Sequence, residues 1–242
     1  MVILTKSRKQ NMIKIISLAV LSIIGIVFSR IPPLTLAEFK SVRPNMAYHP
    51  SETVEFKYIL LSVVFLLPLF MYIVSRVGNR KLGGAGLILD AHLGCIITFL
   101  ITAVIKWLVG KERPDYHDRL AQNLLAQAVL EGRRSFPSGH SSTMMALVFY
   151  LVYETLLSIK NTRQLVTKSI LVYVGILVPI TTGLFVCVSR IFDNRHDQVD
   201  VCTGAALGIF VPFIVNRILL ARRKKKHQNK IIEESAPSIE NE

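Results

Sequence analysis

Three short polar segments interrupt a chain that is otherwise strongly apolar, and each lies at the edge of a long hydrophobic run. Together they carry three basic side chains, two histidines and one aspartate. In chain order they are Lys106 with Arg113-Pro114, then Pro137-Ser138-Gly139-His140, and then Ser189-Arg190 with His196 and Asp200. A membrane protein has little reason to collect three basic side chains and two histidines at such edges unless an anion binds between them, so this placement indicates an anion site.

The first segment contains two cations seven residues apart. If the local helix continues through Lys106 and Arg113, both lie on nearly the same face, about 10 Å apart along its axis. Pro114 then ends the helix, because a residue before proline avoids the helical conformation. One anion could then interact with both charges. The alternative is that the two side chains extend toward lipid head groups, as Lys and Arg commonly do at the ends of membrane helices.

The second segment is predicted to open a helix. Ser138 suits the N-cap position, and Gly139 lets the backbone approach a ligand closely. The first free N–H groups of that helix, with the helix dipole behind them, form an anion site onto which His140 projects. The alternative is an ordinary capped helix start with a histidine at the membrane interface.

The third segment pairs an imidazole with a carboxylate four residues later, a spacing that places both on one helical face. Asp200 would fix the tautomer of His196 and stabilise its charged form, which leaves the other ring nitrogen free to attack or bind. Arg190 adds a planar group suited to phosphate oxygens. The alternative is an interfacial salt-bridge cluster that also contains Asp193, Arg195 and Asp197.

Taken together, these residues fit phosphoryl transfer, in which catalysis is mostly positioning and electrostatic stabilisation. The nearby carboxylates are too few and too mixed with cations to form a Mg²⁺ or Ca²⁺ site. Two histidines and one aspartate from distant segments make only a weak zinc site. We therefore expect no metal and no cofactor.

The three segments resemble, in order and without a gap, the three-part signature of the phosphatidic acid phosphatase type 2 superfamily. Vanadium haloperoxidases and glucose 6-phosphatases share this signature. The resemblance implies that His196 is the nucleophile that forms a phosphohistidine, that Asp200 orients it, and that His140 protonates the leaving group. It also implies a phosphate-binding group without metal, which consists of Lys106, Arg113, Ser138, Gly139 and Arg190.

Details within and around the signature resemble the eukaryotic lipid phosphate phosphatase branch of the superfamily. They are Asp193-Asn194-Arg195-His196, Val199-Asp200-Val201 and Tyr48-His49-Pro50. The chain departs from the branch at Asp197, where a second histidine is common. Because a further carboxylate favours the imidazolium form, Asp197 is expected to affect the pKa of His196.

The composition is that of a membrane protein, with 51% hydrophobic residues in 242 and a mean hydropathy of +0.46. Six stretches reach the roughly 20 apolar residues that a spanning helix needs. They lie at 12–29, 57–76, 87–109, 140–160, 168–189 and 199–220. The sequence therefore predicts an all-α integral membrane protein with a single domain, 1–220, whose active site lies at the outer or lumenal ends of helices three to six. Residues 221–242, basic and then acidic, are predicted to form a disordered cytosolic tail.

The charge distribution predicts an orientation. With six spans, both termini lie on one side of the membrane, and once the polar segments are set aside that side holds more Lys and Arg. The positive-inside rule then predicts cytosolic termini and a lumenal or extracellular site. The basic tail and the net charge of +13 indicate anionic lipids rather than nucleic acid as the counter-charge.

Three functions are compatible with these residues. The leading one is hydrolysis of lipid phosphates: phosphatidate, lysophosphatidate, diacylglycerol pyrophosphate or sphingoid phosphates. The second keeps the site but takes a polyprenyl substrate such as dolichyl diphosphate. The third is a lipid-phosphate binder or transporter without catalysis. The sequence leaves open the endomembrane (ER, Golgi or vacuole) or plasma membrane location, and it is compatible with a homo-oligomer.

Overall fold

A computed structural model describes residues 6–34, 39–78 and 85–235 of the chain. Those residues form helices and connecting loops, and they contain no β-strand. The helices are α1 (Lys6–Phe28), α2 (Phe56–Leu61), α3 (Leu67–Val77), α4 (Ala85–Val109), α5 (Tyr116–Ala121), α6 (Ala126–Gly132), α7 (Gly139–Asn161), α8 (Leu165–Val172), α9 (Val178–Phe192) and α10 (Gln198–Ser235).

Six helical stretches of the described chain are long and apolar enough to cross a membrane. They are Arg8–Phe28, Phe56–Val77, Gly86–Val109, Gly139–Asn161, Leu165–Phe192 and Gln198–Lys226. The predicted all-α integral membrane fold with six spans is therefore confirmed. The predicted boundaries agree within a few residues, except that the last span is longer.

Two of the spans contain a wide turn just before a proline. Single π-helical turns, Ser62–Leu66 and Tyr173–Leu177, join α2 to α3 and α8 to α9. Pro68 and Pro179 follow them at the start of the next helix. Proline has no N–H and its ring crowds the carbonyl four residues earlier, so the backbone widens locally and then continues as a helix.

The helix α7 lies at the centre of the bundle, and α10 packs closely against it. A Cβ atom at Gly204 would collide with the backbone carbonyl oxygen of Ser138, the residue before α7, and one at Gly208 would collide with that of Ser142 within α7. Small residues allow membrane helices to approach each other in this way. The close contact fixes the start of α10 beside the start of α7, and Asp197 and Asp200 lie at this point.

The two ends of the bundle differ in their polar contacts. At one end lie the last turns of α4 and α9 and the first turns of α7 and α10, which carry the three polar segments. At the other end, the buried carboxylate of Asp90 on α4 forms ion pairs with Lys14 of α1 and Arg223 of α10. The three helices are thereby joined by charge far from the polar segments.

The predicted disorder of the tail is wrong for residues 221–235, because α10 continues as a helix to Ser235. Arg223 contributes to this extension: its guanidinium also donates to the carbonyl of Gly86 at 2.8 Å. Lys226 donates to the side chain of Gln10 at 2.7 Å, so the extended helix also has a side-chain contact with the first turns of α1. The prediction for 236–242 lies outside the described residues.

The third helix ends where its span is predicted to end and does not continue through Arg113, so the shared helical face that depended on such a continuation is not formed. The helix α4 ends at Val109, because Gly110 adopts a left-handed φ of 62°. The connection that follows contains two short helices, α5 and α6, separated near Asn123, which has a φ of 50°. Arg113 therefore reaches the site from a loop and not from the face of a helix.

Candidate active site

A cavity of about 690 Å³ opens at the end of the bundle that carries the three polar segments. Five of the eight residues predicted for the site line it: Lys106, Arg113, Gly139, His140 and His196. The other three, Ser138, Arg190 and Asp200, are fully buried behind its wall. The structure thus brings the three segments together, although it does not expose all their members to a ligand.

The imidazole of His196 is buried, and one of its nitrogens is held by polar neighbours. Its Nδ1 lies 3.6 Å from Oδ2 of Asp200 and 3.3 Å from Oγ of Ser135. The hydroxyl of Ser135 donates to the same Oδ2 atom, so it connects the imidazole to the carboxylate. Because Nδ1 is occupied and the ring borders the cavity, Nε2 is the nitrogen available for chemistry.

The expectation that His196 and Asp200 share a helical face needs correction. The helix α10 begins at Gln198, so His196 lies in the turn before the helix and only Asp200 lies in its first turn. The turn brings the two side chains together, as the predicted pairing requires. Ser135, which the sequence analysis did not assign to the site, supplies the hydrogen-bonding link between them.

The structure favours the neutral form of His196. Burial lowers its pKa well below the ordinary value of 6.5, the carboxylate of Asp200 opposes this shift, and the charges of Lys106 and Arg113 add to it. Asp197 is not among the main causes of this shift, and its Oδ2 atom accepts a 2.6 Å hydrogen bond from Lys111. A neutral imidazole has the lone pair that a nucleophile needs.

Asp197 and Asp200 together cap the start of α10. The N–H of Asp200 donates to Oδ1 of Asp197, and the N–H of Asp197 donates to Oδ2 of Asp200, each at 3.1 Å. This reciprocal pattern is a capping box. Lys111 donates to both carboxylates, at 2.6 Å and 2.8 Å. The sequence analysis missed Lys111, although it lies between Lys106 and Arg113 within the first segment.

Lys106 and Arg113 are the two predicted phosphate-binding cations that border the cavity, which is also lined by Arg30, Arg119, Arg134 and Arg195. The ammonium group of Lys106 donates to the backbone carbonyls of Arg134 and Ser135 at 2.6 Å and 3.1 Å. Arg113 forms an ion pair with Glu131 at 3.3 Å, and its buried Nε has no hydrogen-bond partner among the described residues. An unsatisfied buried donor beside a cavity is a suitable partner for an anion.

A carboxylate that the sequence analysis missed, Glu52, meets the second histidine. Its Oε2 atom accepts from Nη1 of Arg190 at 2.9 Å and lies 3.2 Å from Nε2 of His140, and its Oε1 atom lies 3.5 Å from Nε of Arg195. Burial would raise the pKa of Glu52, but the hydrogen bond with His140 and the nearby positive charges outweigh it and hold the pKa below its usual range. Glu52 is therefore ionised.

Arg190 lies behind Glu52 with its charge already balanced. It is fully buried, and its Nη2 atom donates to Asp193 at 2.6 Å. Ser138 is likewise engaged, since its hydroxyl accepts from the N–H of Ser141 at 3.4 Å and so caps α7 as predicted. Gly139, the first residue of α7, does border the cavity, so the N-terminus of this helix faces the site.

The carboxylates around the cavity are directed at cations. No group of three or more His, Cys, Asp or Glu side chains within the described residues is arranged to hold a metal ion. The independence of metal that the sequence predicts stays a prediction, which a chelator can test.

A bundle of membrane-spanning helices with a cationic cavity and two histidines at one end defines an integral membrane protein with a candidate anion-binding site. Comparison with known proteins identifies the family. Residues 87–224 match the PAP2 superfamily, so the chain belongs to that family. No solved structure gives a significant match.

Individual relatives refine this assignment. A PA-phosphatase related-family protein of Dictyostelium discoideum is 31% identical over 72% of this chain and 65% of its own length. A probable lipid phosphate phosphatase of Arabidopsis thaliana is 28% identical over 85% of this chain and 71% of its own length. A probable diacylglycerol pyrophosphate phosphatase of Schizosaccharomyces pombe is 28% identical over 69% of this chain and 66% of its own length.

The chain spans about two thirds of the length of these relatives. The resemblance to the lipid phosphate phosphatase branch is confirmed, and the matches agree with the expected class of enzyme, a phosphatase that hydrolyses phosphate monoesters.

Proposed function

We propose that this protein is a phosphatase that removes phosphate from lipids at the membrane surface. The strongest support is the position of His196, whose Nδ1 faces Asp200 and Ser135 while the ring borders a cationic cavity. Covalent phosphoryl transfer requires a nucleophile that is oriented at one atom and free at another. The names of the relatives support the same activity.

In the first step, Nε2 of His196 attacks the phosphorus atom, and the bond between phosphorus and the lipid oxygen breaks. His140 donates the proton that the departing oxygen takes up. Lys106 and Arg113 balance the negative charge on the phosphoryl oxygens. The phosphorylated imidazole keeps its Nδ1 proton, and Asp200 and Ser135 stabilise the ring.

In the second step, water attacks the phosphohistidine. His140, which lost its proton in the first step, accepts a proton from that water. The bond between phosphorus and Nε2 breaks, inorganic phosphate is released, and His196 returns to its neutral form. The fixed cations supply the charge stabilisation that a metal provides in other phosphatases, so we propose a reaction without Mg²⁺.

The cavity is suited to a substrate that is charged at one end and apolar at the other. Besides the cations, its lining includes Phe56 at the start of α2 and Phe99 and Ala103 on α4. These side chains would contact the hydrocarbon part of a lipid next to the head group. The proposed substrates are phosphatidate, lysophosphatidate, diacylglycerol pyrophosphate and sphingoid phosphates.

The proposed orientation follows from the distribution of basic residues. Cytosolic termini leave the cavity on the lumenal side of an endomembrane or on the outside of the plasma membrane. The helical basic segment at the end of α10 then lies near the anionic inner leaflet and anchors the protein electrostatically.

Phosphate release from phosphatidate in detergent micelles, with an excess of chelator, tests the proposal. We expect the wild-type protein to stay active and His196→Ala to be inactive, with phosphate trapped on the wild-type histidine from labelled substrate. The matched control is His117→Ala, at a histidine whose side chain is 48% exposed and which pairs weakly with Glu112. Equal release by the wild type and His196→Ala, or loss of wild-type activity in chelator, would refute the mechanism.

The same preparation separates the other two functions. Parallel kinetics on dolichyl diphosphate and phosphatidate decide between a polyprenyl and a glycerolipid substrate, because kcat/KM compares the two directly. A protein that binds lipid phosphate but never forms phosphohistidine would be a binder or a transporter.

A further inference from the structure

Lys111 is a buried cation that neither step of the proposed mechanism uses. It lies in the loop after α4, is 8% exposed, and does not line the cavity. Burial would lower its pKa, but hydrogen bonds with Asp197 and Asp200 outweigh burial and raise it above the ordinary value. The side chain is therefore a permanent positive charge located behind the catalytic histidine.

The two carboxylates that Lys111 contacts are a costly pair without it. Both aspartates have zero exposed surface, and the capping box holds their side chains next to each other. Buried charges of the same sign repel, and a buried carboxylate without a counter-ion is strongly unfavourable. Lys111 is the shared counter-ion that the structure supplies.

The geometry divides the two oxygens of Asp200 between different partners. Oδ1 accepts from Lys111 at 2.8 Å, whereas Oδ2 accepts from Ser135 and faces Nδ1 of His196. A carboxylate held at one oxygen cannot rotate away from the imidazole at the other. The charge of Lys111 thus fixes the orientation of the group that orients the nucleophile.

Asp197 has a separate role in the same cluster. Its Oδ2 atom also lies 3.3 Å from the backbone N–H of Val42 and 3.4 Å from the hydroxyl of Ser41. These contacts link the loop before α2 to the start of α10. Lys111 neutralises Asp197, so that this second carboxylate does not disturb Asp200.

We propose that Lys111 is a positioning residue for the phosphatase reaction. It holds the carboxylate of Asp200 in the orientation that faces Nδ1 of His196, and it balances the charge of the additional carboxylate of Asp197. The inference rests on the proposed function and assigns it one more residue. Lys111 acts through Asp200 and does not touch the substrate, so its removal should slow phosphoryl transfer and leave substrate binding nearly unchanged.

The test compares Lys111→Met, Lys111→Arg and the double variant Lys111→Met with Asp197→Asn, in purified protein with phosphatidate micelles. We expect Lys111→Met to lower kcat by about 10- to 100-fold, with KM changed less than about twofold. Lys111→Arg keeps the charge and should retain most of kcat. The double variant removes one of the two facing carboxylates and should exceed Lys111→Met in kcat by about fivefold or more.

A control separates positioning from general stability. Asp90→Asn disrupts the buried ion cluster at the opposite end of the bundle, so it should lower the thermal unfolding midpoint without changing kcat per folded molecule. The inference is refuted if Lys111→Met has a wild-type kcat, or if its whole loss of activity is a loss of folded protein. It is also refuted if Lys111→Arg or the double variant is no better than Lys111→Met. Absence of phosphate release by the wild type would refute the proposed function, and this inference with it.

Discussion

The carboxylate of Glu52 contacts Arg190 and His140, two groups that a phosphoryl oxygen could contact in its place. Its Oε2 atom accepts from Arg190 at 2.9 Å and lies 3.2 Å from His140. An anionic substrate that uses these two groups must first displace the carboxylate. We therefore predict that Glu52→Gln, which keeps the size of the side chain and removes its charge, strengthens the binding of phosphate.

The size of the effect follows from the contacts. A hydrogen bond to a charged group contributes about 1.5–3 kcal/mol when it is buried. The Glu52 side chain is 24% exposed, so solvent partly compensates for its displacement and the lower end of that range applies. A gain of about 1.4 kcal/mol corresponds to a roughly tenfold lower inhibition constant.

Inhibition by inorganic phosphate and by vanadate is the appropriate assay, because it reports on binding without depending on the chemical step. The matched control is Glu55→Gln in the same loop, since the Glu55 side chain is 50% exposed and pairs with Lys57 at 2.7 Å. We expect the Glu55 variant to resemble the wild type. An unchanged or higher inhibition constant in Glu52→Gln would show that the carboxylate does not compete with phosphate.

Three further predictions concern neighbouring residues. Ser135→Ala removes the hydroxyl between His196 and its carboxylate, and it should lower kcat about tenfold with KM unchanged in steady-state kinetics. Gly208→Leu forces a side chain against the backbone of α7, and the thermal unfolding midpoint should fall by the equivalent of about 1–3 kcal/mol or more. Because the pKa of His196 is lowered from 6.5, the unfolded chain binds a proton there that the folded chain does not, so stability should fall as pH drops below about 6.5. The dependence should be weaker in His196→Gln, as measured by thermal unfolding between pH 7 and 5, and an equal dependence would contradict the assignment.

The sequence predicts the six spans and the convergence of the polar segments, because both depend on local patterns. Apolar runs of spanning length are visible directly, and each polar segment lies at the end of such a run. The detailed geometry of the first segment was not predictable, since it depends on the left-handed turn at Gly110 that ends α4 and directs Lys111 inward. A lysine in a loop carries no signal of its own to distinguish this role.

Glu52 was missed for a different reason, which is distance along the chain. Its partner Arg190 lies 138 residues further on, and the loop that carries Glu52 has no periodic pattern to place it. The helical continuation of α10 was misjudged because composition alone suggested disorder, whereas contacts of Arg223 with Gly86 and Asp90 stabilise the helix. In each case a long-range contact determined the outcome, and a single sequence does not specify such contacts.

The predicted cations of the site and Lys111 differ in how completely carboxylates balance their charge, and this difference predicts different roles in phosphate binding. Arg190 and Lys111 are each paired with buried or partly buried carboxylates, and only Arg190 has a partner, Glu52, that borders the cavity and could be displaced by a substrate. Lys106 instead donates to neutral carbonyls, and Arg113, although it forms an ion pair with Glu131 at 3.3 Å, keeps an unsatisfied Nε beside the cavity. A buried charge without full compensation gains most from an incoming anion. We therefore expect Lys106 and Arg113 to provide the initial attraction for the phosphate, and Arg190 to contribute only after Glu52 has moved.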